Sequence, residues 1–113
     1  MSWDVSVVDK EGKTIETNHS REEGGTYQLG GTNKATLNVT YNYRKHFDFR
    51  QLHGMSINHA HLVLCSTIQT LSDKIDDDYW KSTEGNVKKT LTTLAEFAEY
   101  AMMNKPECTF EVN

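Results

Sequence analysis

Hydrophobic and polar residues alternate in the first part of the chain, which predicts β-strands. In the segment 2–7, Trp3, Val5 and Val7 alternate with polar residues, and this is the period of a strand with one buried face. A turn over 9–13 leads into a short return strand at 14–17. We therefore expect the chain to begin with a β-hairpin.

The strongest strand pattern follows at 35–43. Its apolar face carries Ala35, Leu37, Val39, Tyr41 and Tyr43, and its polar face carries Thr36, Asn38, Thr40 and Asn42. Because successive side chains of a strand point to opposite faces, the first set is expected in the core. The second set is then presented to solvent, to a ligand or to another subunit.

The second half of the chain has helical periodicity. Ser56 is the expected N-cap of a helix that runs to about Ile75 and ends at Asp76-Asp77-Asp78. Its apolar stripe is His61, Leu64, Ile68, Leu71 and Ile75.

A second helix begins at Ser82 or Thr83, and the single proline, Pro106, closes it near Lys105. The pattern predicts one α+β domain over 1–113, with a β-rich part at 1–50 and a two-helix segment at 56–105. We expect a small antiparallel sheet from the N-terminal half, packed with an antiparallel pair of helices from the C-terminal half.

Composition and charge exclude several classes of partner. The chain of 113 residues has 12 basic and 16 acidic residues and a net charge of −4, which argues against duplex nucleic acid and anionic membranes. No apolar run reaches the roughly 20 residues of a membrane span. The N-terminus has no signal-peptide pattern, and two cysteines make no disulfide framework. We expect a soluble intracellular protein with no duplex nucleic-acid partner and no membrane partner.

A glycine-rich segment is the first candidate for binding chemistry. It contains Gly24-Gly25-Thr26 and Gly30-Gly31-Thr32. Glycine pairs allow turns with positive φ and exposed N–H groups, and consecutive N–H groups can form an anion-binding nest. The spacing is neither a Rossmann nor a P-loop motif. Simple turns use the same residues, so the alternative to ligand contact is a structural turn.

Aromatic and amide side chains near this segment fit a nucleobase. Tyr27 lies within the glycine-rich segment and is the better candidate for stacking, whereas Tyr41 and Tyr43 are expected in the core. Asn38 and Asn42 each offer a donor and an acceptor to a base edge. The alternative for both is a solvated strand face.

The phosphates of such a ligand require donors and cations. We expect the glycine N–H groups to hold them, with Arg21 or Arg44. The candidate ligand-binding residues are therefore Gly24, Gly25, Thr26, Tyr27, Gly30, Gly31, Thr32, Asn38, Asn42 and Arg44.

Metal and enzyme chemistry have weaker support. His61 and Cys65 share a helix face, with His59 nearby, but a structural zinc site takes four ligands. Asp76-Asp77-Asp78 lacks the ligand spacing of a calcium loop. Neither GxSxG nor HExxH occurs. We expect no metal, no cofactor and no enzymatic activity.

The start of the second helix is another possible anion site. Helix N-termini offer unpaired N–H groups and a positive dipole end. The carboxylate of Glu84 competes for those donors, so the sequence favours simple capping by Thr83 and burial of Trp80.

The motifs GGTYxxGGT, LNVTYNY and YWxxTEGN, in this order, resemble a widespread group of small phage and bacterial proteins of unknown function. The matching blocks run from Trp3 to about Leu94. The chain is also similar to viral sponge proteins that sequester cyclic nucleotide signals of the anti-phage system CBASS. This resemblance implies a phage immune-evasion protein in the host bacterial cytoplasm. It would bind a cyclic dinucleotide such as cGAMP without cleaving it, as a homo-oligomer with a tetramer favoured.

Two other classes of function stay open. An acidic phage protein can inhibit a host protein by direct binding, and Asp73, Asp76, Asp77 and Asp78 would then form the contact. A metal-assisted hydrolase is the third class and has the least support in the residues.

Overall fold

The residues that the structure describes form five antiparallel strands and two α-helices, with two short 3-10 helices between them. The computed structural model describes residues 1–17 and 34–113, together with the strand backbone at 22–23 and 26–28. The strands are β1 (Ser2–Val8), β2 (Glu22–Glu23), β3 (Thr26–Gln28), β4 (Thr36–Thr40) and β5 (Thr109–Val112), and the helices are α1 (Ile57–Ile68) and α2 (Glu84–Asn104). The order across the sheet is β2-β3-β4-β1-β5. Strands β3, β4 and β1 from the N-terminal half make its centre, and the two helices pack together in the C-terminal half, so the predicted α+β class is confirmed.

The core forms where the strand and helix periods predict it. Val5 and Val7 of β1 and Leu37 and Val39 of β4 are fully buried in one cluster with the apolar face of α2. Residues two apart in a strand share a face, so these side chains point the same way from the sheet. The residues that α2 adds to this cluster are Val87, Leu91, Leu94, Ala95, Phe97, Ala98 and Ala101.

The third predicted strand is shorter than expected. β4 ends at Thr40, and Tyr41–Lys45 form a 3-10 turn. The Thr40 hydroxyl accepts a hydrogen bond from the Asn42 N–H (3.3 Å), and this competes with continuation of the strand. Tyr43 is nevertheless fully buried, as the alternation predicts.

The predicted return strand at 14–17 is not a strand. It makes two isolated bridges, between Val8 and Thr14 and between Glu16 and Lys34. Ile15 is buried. Its N–H donates a hydrogen bond to the Val7 carbonyl (3.1 Å), and its carbonyl accepts one from the Ala35 N–H (3.0 Å). This segment therefore joins β1 to the start of β4 without forming a ladder of its own.

The first helix ends seven residues earlier than the predicted Ile75, at Ile68. Ile75 is 54% exposed, so it does not belong to the buried stripe. The aspartates at 76–78 lie in the connection between the helices and do not end α1. The connection turns back to α2, where Glu84 Oε1 accepts a hydrogen bond from the Ser72 N–H (2.8 Å). Neither helix of the described ranges is long and apolar enough to cross a membrane.

Strand β5 is absent from the sequence prediction. It follows Pro106 by three residues and pairs with β1, with Val7 opposite Phe110. Its outer edge is covered, because the Phe110 carbonyl accepts a hydrogen bond from the Gly54 N–H (2.8 Å) and the Phe110 N–H donates one to the Met55 carbonyl (3.0 Å). His53 Nδ1 accepts a hydrogen bond from the Val112 N–H (3.0 Å). These contacts occupy donors that an open edge strand would present to another chain.

Helix α2 begins as predicted, with Thr83 as N-cap. The Thr83 hydroxyl accepts a hydrogen bond from the Asn86 N–H (3.2 Å). Gly85 lies directly against the connection, and its N–H donates to the Lys74 carbonyl (2.9 Å). A Cβ at position 85 would overlap with that carbonyl and would lie 2.8 Å from the carbonyl carbon of Asp73. Only glycine fits this contact without a shift of the backbone.

We expect Gly85→Ala to destabilise the protein. In an ordinary helix position the change from glycine to alanine stabilises by about 0.5–1 kcal/mol. Here the overlap with the Lys74 backbone is expected to reverse the sign and to cost about 1–3 kcal/mol of the free energy of unfolding. Urea denaturation measures it, with Glu99→Ala on the exposed side of α2 as the control, expected within about 0.5 kcal/mol of the wild type. A more stable Gly85→Ala protein would show that the contact is not close.

Candidate functional site

Two aromatic rings are exposed side by side on the connection between α1 and α2. Tyr79 and Trp80 are each 49% exposed, and their ring centroids are 5.4 Å apart with an interplanar angle of 39°. We call these two side chains the aromatic platform. The expected burial of Trp80 is wrong, because the cap of α2 is built by Thr83 and the residues after it and leaves the indole outside.

The buried amide of Asn86 holds the connection from the inside. This side chain is fully buried at the start of α2. Its Oδ1 accepts a hydrogen bond from the Asp76 N–H (3.2 Å), and its Nδ2 donates to the carbonyls of Lys81 (3.0 Å) and Asp78 (3.5 Å). An amide satisfies both roles because it carries a donor and an acceptor. Backbone on both sides of the platform is thereby fixed to α2.

The 3-10 turn after β4 holds the same segment from the other side. Asn42 Nδ2 donates to the Trp80 carbonyl (3.0 Å) and the Tyr43 hydroxyl to the Tyr79 carbonyl (2.8 Å). His46 Nε2 donates to the Ser82 carbonyl (2.7 Å), since a carbonyl can only accept. The backbone carbonyls of the platform are thus occupied, and its rings remain exposed.

Two of the aspartates shape the platform locally. Asp76 Oδ1 accepts a hydrogen bond from the Asp78 N–H (2.8 Å), and Asp78 Oδ1 accepts one from the Trp80 N–H (3.1 Å). Side chains of aspartate commonly fix turns in this way. Asp73 pairs with Lys88 (2.7 Å), and Asp77 is exposed with no hydrogen bond or ion pair to the described part of the chain. The acidic run is therefore partly a structural device.

Charges of opposite sign flank the platform. Arg44 and Lys45 are exposed in the turn that also carries Asn42, and this turn runs beside the platform through the Asn42–Trp80 contact. The exposed Asp77 lies in the connection, two residues before Tyr79. The connection also carries Lys81 directly after Trp80, with its Nζ 3.6 Å from Asp76 Oδ2. An anion at the platform is therefore attracted by Arg44 and Lys45 of the turn and by Lys81, and repelled by Asp77.

The predicted ligand residues divide into three groups. Asn42 and Arg44 lie in the turn beside the platform. Asn38 lies in β4, where its Nδ2 donates to Ser2 Oγ (2.7 Å) and Asp4 Oδ1 (2.9 Å), and its amide is thereby fixed within the sheet. In β3, Tyr27 is the backbone register partner of Asn38, and Thr26 is that of Val39. The other candidates lie outside the described residues: Arg21, Gly24, Gly25, Gly30, Gly31 and Thr32.

The sequence contains a signal for the platform that strand and helix periodicity does not reveal. Tyr79 and Trp80 are adjacent large aromatics in a polar segment, DDDYWKST, with no apolar neighbours to bury them. A pair of rings in such surroundings indicates an exposed contact surface. The hydrogen bonds from Asn42 and Asn86 could not be predicted, because they join distant segments.

An alternative candidate site lies at the outer edge of β5. It is an open cleft of about 400 Å³ lined by Arg50, His53 and Val112. His53 is already engaged there with the Val112 N–H. The cleft offers the guanidinium of Arg50 and the single imidazole ring of His53, but no Tyr or Trp ring, so it fits a base less well than the platform does.

Comparisons with known proteins give no match for this chain. No family model matches it, and neither the curated proteins nor the solved structures contain a significant similarity. The class that the fold defines is a small α+β domain.

We expect Tyr43 to make stability depend on alkaline pH. Burial raises the pKa of the Tyr43 phenol far above its ordinary value of 10.0, although a hydrogen bond with Thr90 lowers it. Above pH 10 the unfolded chain loses this proton more readily than the folded protein does, so the free energy of unfolding should fall as the pH rises. The slope from one such group is at most about 1.4 kcal/mol per pH unit.

Denaturation curves between pH 8 and pH 11 measure this effect, with Tyr43→Phe as the matched variant. Phenylalanine keeps the ring and removes the ionisable hydroxyl. We expect a shallower alkaline fall in the variant, together with a lower stability at pH 8 because the Tyr79 carbonyl loses its donor. Parallel curves for the two proteins would contradict this role of Tyr43.

Proposed function

We propose that this protein binds a cyclic nucleotide signal, such as a cyclic dinucleotide, and sequesters it without cleaving it. The proposal includes the setting that the sequence resemblance implies: a phage protein that acts as a homo-oligomer, with a tetramer favoured, in the cytoplasm of the infected bacterium. Its main support in the structure is the aromatic platform of Tyr79 and Trp80.

The platform has the properties that base stacking requires. Each exposed ring offers a flat apolar face, and base–aromatic stacking contributes about 1–3 kcal/mol per base. The carbonyls of Tyr79 and Trp80 are bonded to Tyr43 and Asn42, so the backbone beneath the rings is fixed before a ligand arrives. Less conformational entropy is then lost on binding.

The flanking turn provides polar groups for the rest of a nucleotide. Arg44 is the candidate partner for a phosphate, because a guanidinium can donate two parallel hydrogen bonds to its oxygens. Asn42 already donates from Nδ2 to Trp80, which leaves its Oδ1 as the candidate acceptor for a base N–H. The glycine N–H groups of 24–32, with Thr26, Tyr27 and Asn38, remain the predicted second part of the site.

We expect Trp80→Ala to weaken binding of the cyclic nucleotide without unfolding the protein. Loss of one stacking face, at about 1–3 kcal/mol, raises the dissociation constant by about 5- to 150-fold. Isothermal titration calorimetry with a panel of cyclic di- and trinucleotides measures the wild type first, and the best ligand is then titrated into the variants. Trp80→Phe keeps a ring and should retain part of the affinity.

The control for this experiment is Ile75→Ala, because Ile75 is an exposed apolar residue of the same connection. Its replacement should leave the affinity unchanged. Silence of the folded wild-type protein across the whole panel would refute the nucleotide proposal, and equal affinities of Trp80→Ala and Ile75→Ala would refute the role of the platform.

Direct binding to a host protein is the second candidate function. The observation that favours it is the exposed acidic side chain of Asp77 close in sequence to the exposed tryptophan, since tryptophan and tyrosine dominate many protein interfaces. A basic surface of a host protein would complement this composition.

Asp77→Asn separates the two functions by the sign of its effect. Removal of this charge should strengthen binding of a nucleotide anion, whereas it should weaken capture of a basic protein, and both effects should be larger at low salt. Calorimetry with the nucleotide and pull-down from host lysate measure the two arms. A stoichiometric partner that Asp77→Asn captures less well would establish the inhibitor function instead.

A further inference from the structure

A second pair of functional side chains lies on α1 and takes no part in the aromatic platform. His61 and Cys65 are four residues apart, so their side chains lie one above the other on one helix face. The Cys65 Sγ lies 3.6 Å from His61 Nε2 and 4.0 Å from His61 Nδ1. Both residues are half-buried, which leaves this pair accessible from outside.

The separation of the two atoms matches that of two ligands on one zinc ion. With Zn–S and Zn–N distances of about 2.3 Å and about 2.05 Å at a tetrahedral angle, sulfur and nitrogen are about 3.5 Å apart. The observed distance from Sγ to Nε2 is 3.6 Å. The Sγ–Nδ1 distance of 4.0 Å places the sulfur beside the edge or face of the imidazole and not near the axis of the Nε2 lone pair. The ring therefore has to rotate before both atoms can bind one metal ion, whereas the helix backbone, which sets the spacing of four residues, can stay in place. A weak hydrogen bond between thiol and imidazole has a similar length. A metal-binding measurement therefore distinguishes a pair of metal ligands from a pair that is only hydrogen-bonded.

We propose that His61 and Cys65 chelate a zinc-class divalent cation, and that the same pair from a second copy of the chain completes its tetrahedral coordination. Within the described ranges no group of three or more His, Cys, Asp or Glu side chains could hold a metal ion. A closed site needs four ligands, and two copies supply them. On binding, each Cys65 thiol releases its proton to solvent and each Nε2 donates its lone pair, so two thiolates neutralise the cation.

The composition of α1 favours a second copy as the partner. The helix sequence INHAHLVLCSTI contains no Asp, Glu, Lys or Arg, although 25% of the chain is charged. Two copies of this helix can approach each other without repulsion between like charges. Leu62, directly beside the pair, is 63% exposed, and contact between two copies would bury it.

Cobalt(II) is the probe for this site, because a bond between Co²⁺ and a thiolate gives a charge-transfer absorption in the near ultraviolet. We expect this absorption in the wild-type protein, with saturation at one Co²⁺ for two chains and displacement by Zn²⁺. Cys65→Ser and His61→Gln should each lose the absorption or require a much higher Co²⁺ concentration. His59→Gln is the matched control, since His59 is an exposed histidine of the same helix, and it should behave as the wild type.

Three results would overturn the proposal. They are a folded wild-type protein without the absorption, an absorption that persists in Cys65→Ser, and saturation at one Co²⁺ per chain. The other cysteine, Cys108, is buried and remains in every variant, so it serves as an internal control for thiol binding elsewhere. The titration contains no nucleotide, and its outcome is therefore independent of the function proposed for the aromatic platform.

Discussion

The buried side-chain amide of Asn86 is the interaction on which the arrangement of the C-terminal half depends. It bonds three backbone groups of the connection between the helices, at Asp76, Asp78 and Lys81. Loss of such a partner leaves buried polar groups unsatisfied, at a cost of about 1–3 kcal/mol. Thr83 and Gly85 act with it, one as cap and one as the point of closest approach. The TEGN motif thus stabilises the fold, and the N–H groups of Gly85 and Asn86 are occupied by the Lys74 carbonyl and the Thr83 hydroxyl.

The same hydrogen bonds explain why the aromatic platform is both rigid and exposed. Backbone carbonyls of the connection accept hydrogen bonds from the side chains of Asn42, Tyr43, His46 and Asn86. Its aromatic side chains lie outside the core, to which Phe97, Leu94 and their neighbours belong. Exposure of two large rings is unfavourable in water. Stacking of a base, as proposed above, would cover these two rings.

The sequence predicts the elements whose signals are local. The alternation at 2–7, the apolar face of β4 and the Thr83 cap each depend on a few neighbouring residues, and all are confirmed. The helix α1 ends in a turn in which Thr70 and Leu71 donate to the carbonyls of Thr67 and Ile68, and the apolar period that continues to Ile75 does not reveal this turn. The strand β5 was missed because its pairing with the distant edge of β1 decides it. The platform was missed for the same reason, since Asn42 and Trp80 are far apart in the chain. Local signals also placed Asn38 on an open face, where Ser2 and Asp4 in fact hold its amide.

Net charge and local charge have different consequences for a protein that sequesters an anion. The net charge of −4 repels a nucleotide at long range and lowers its association rate, whereas Arg44 and Lys45 act only within about a Debye length of the platform. Affinity among related complexes is set mainly by the dissociation rate. Stacking on a rigid platform slows dissociation and depends little on salt. An acidic chain with two exposed rings and a short basic turn is therefore compatible with tight retention of a small anion.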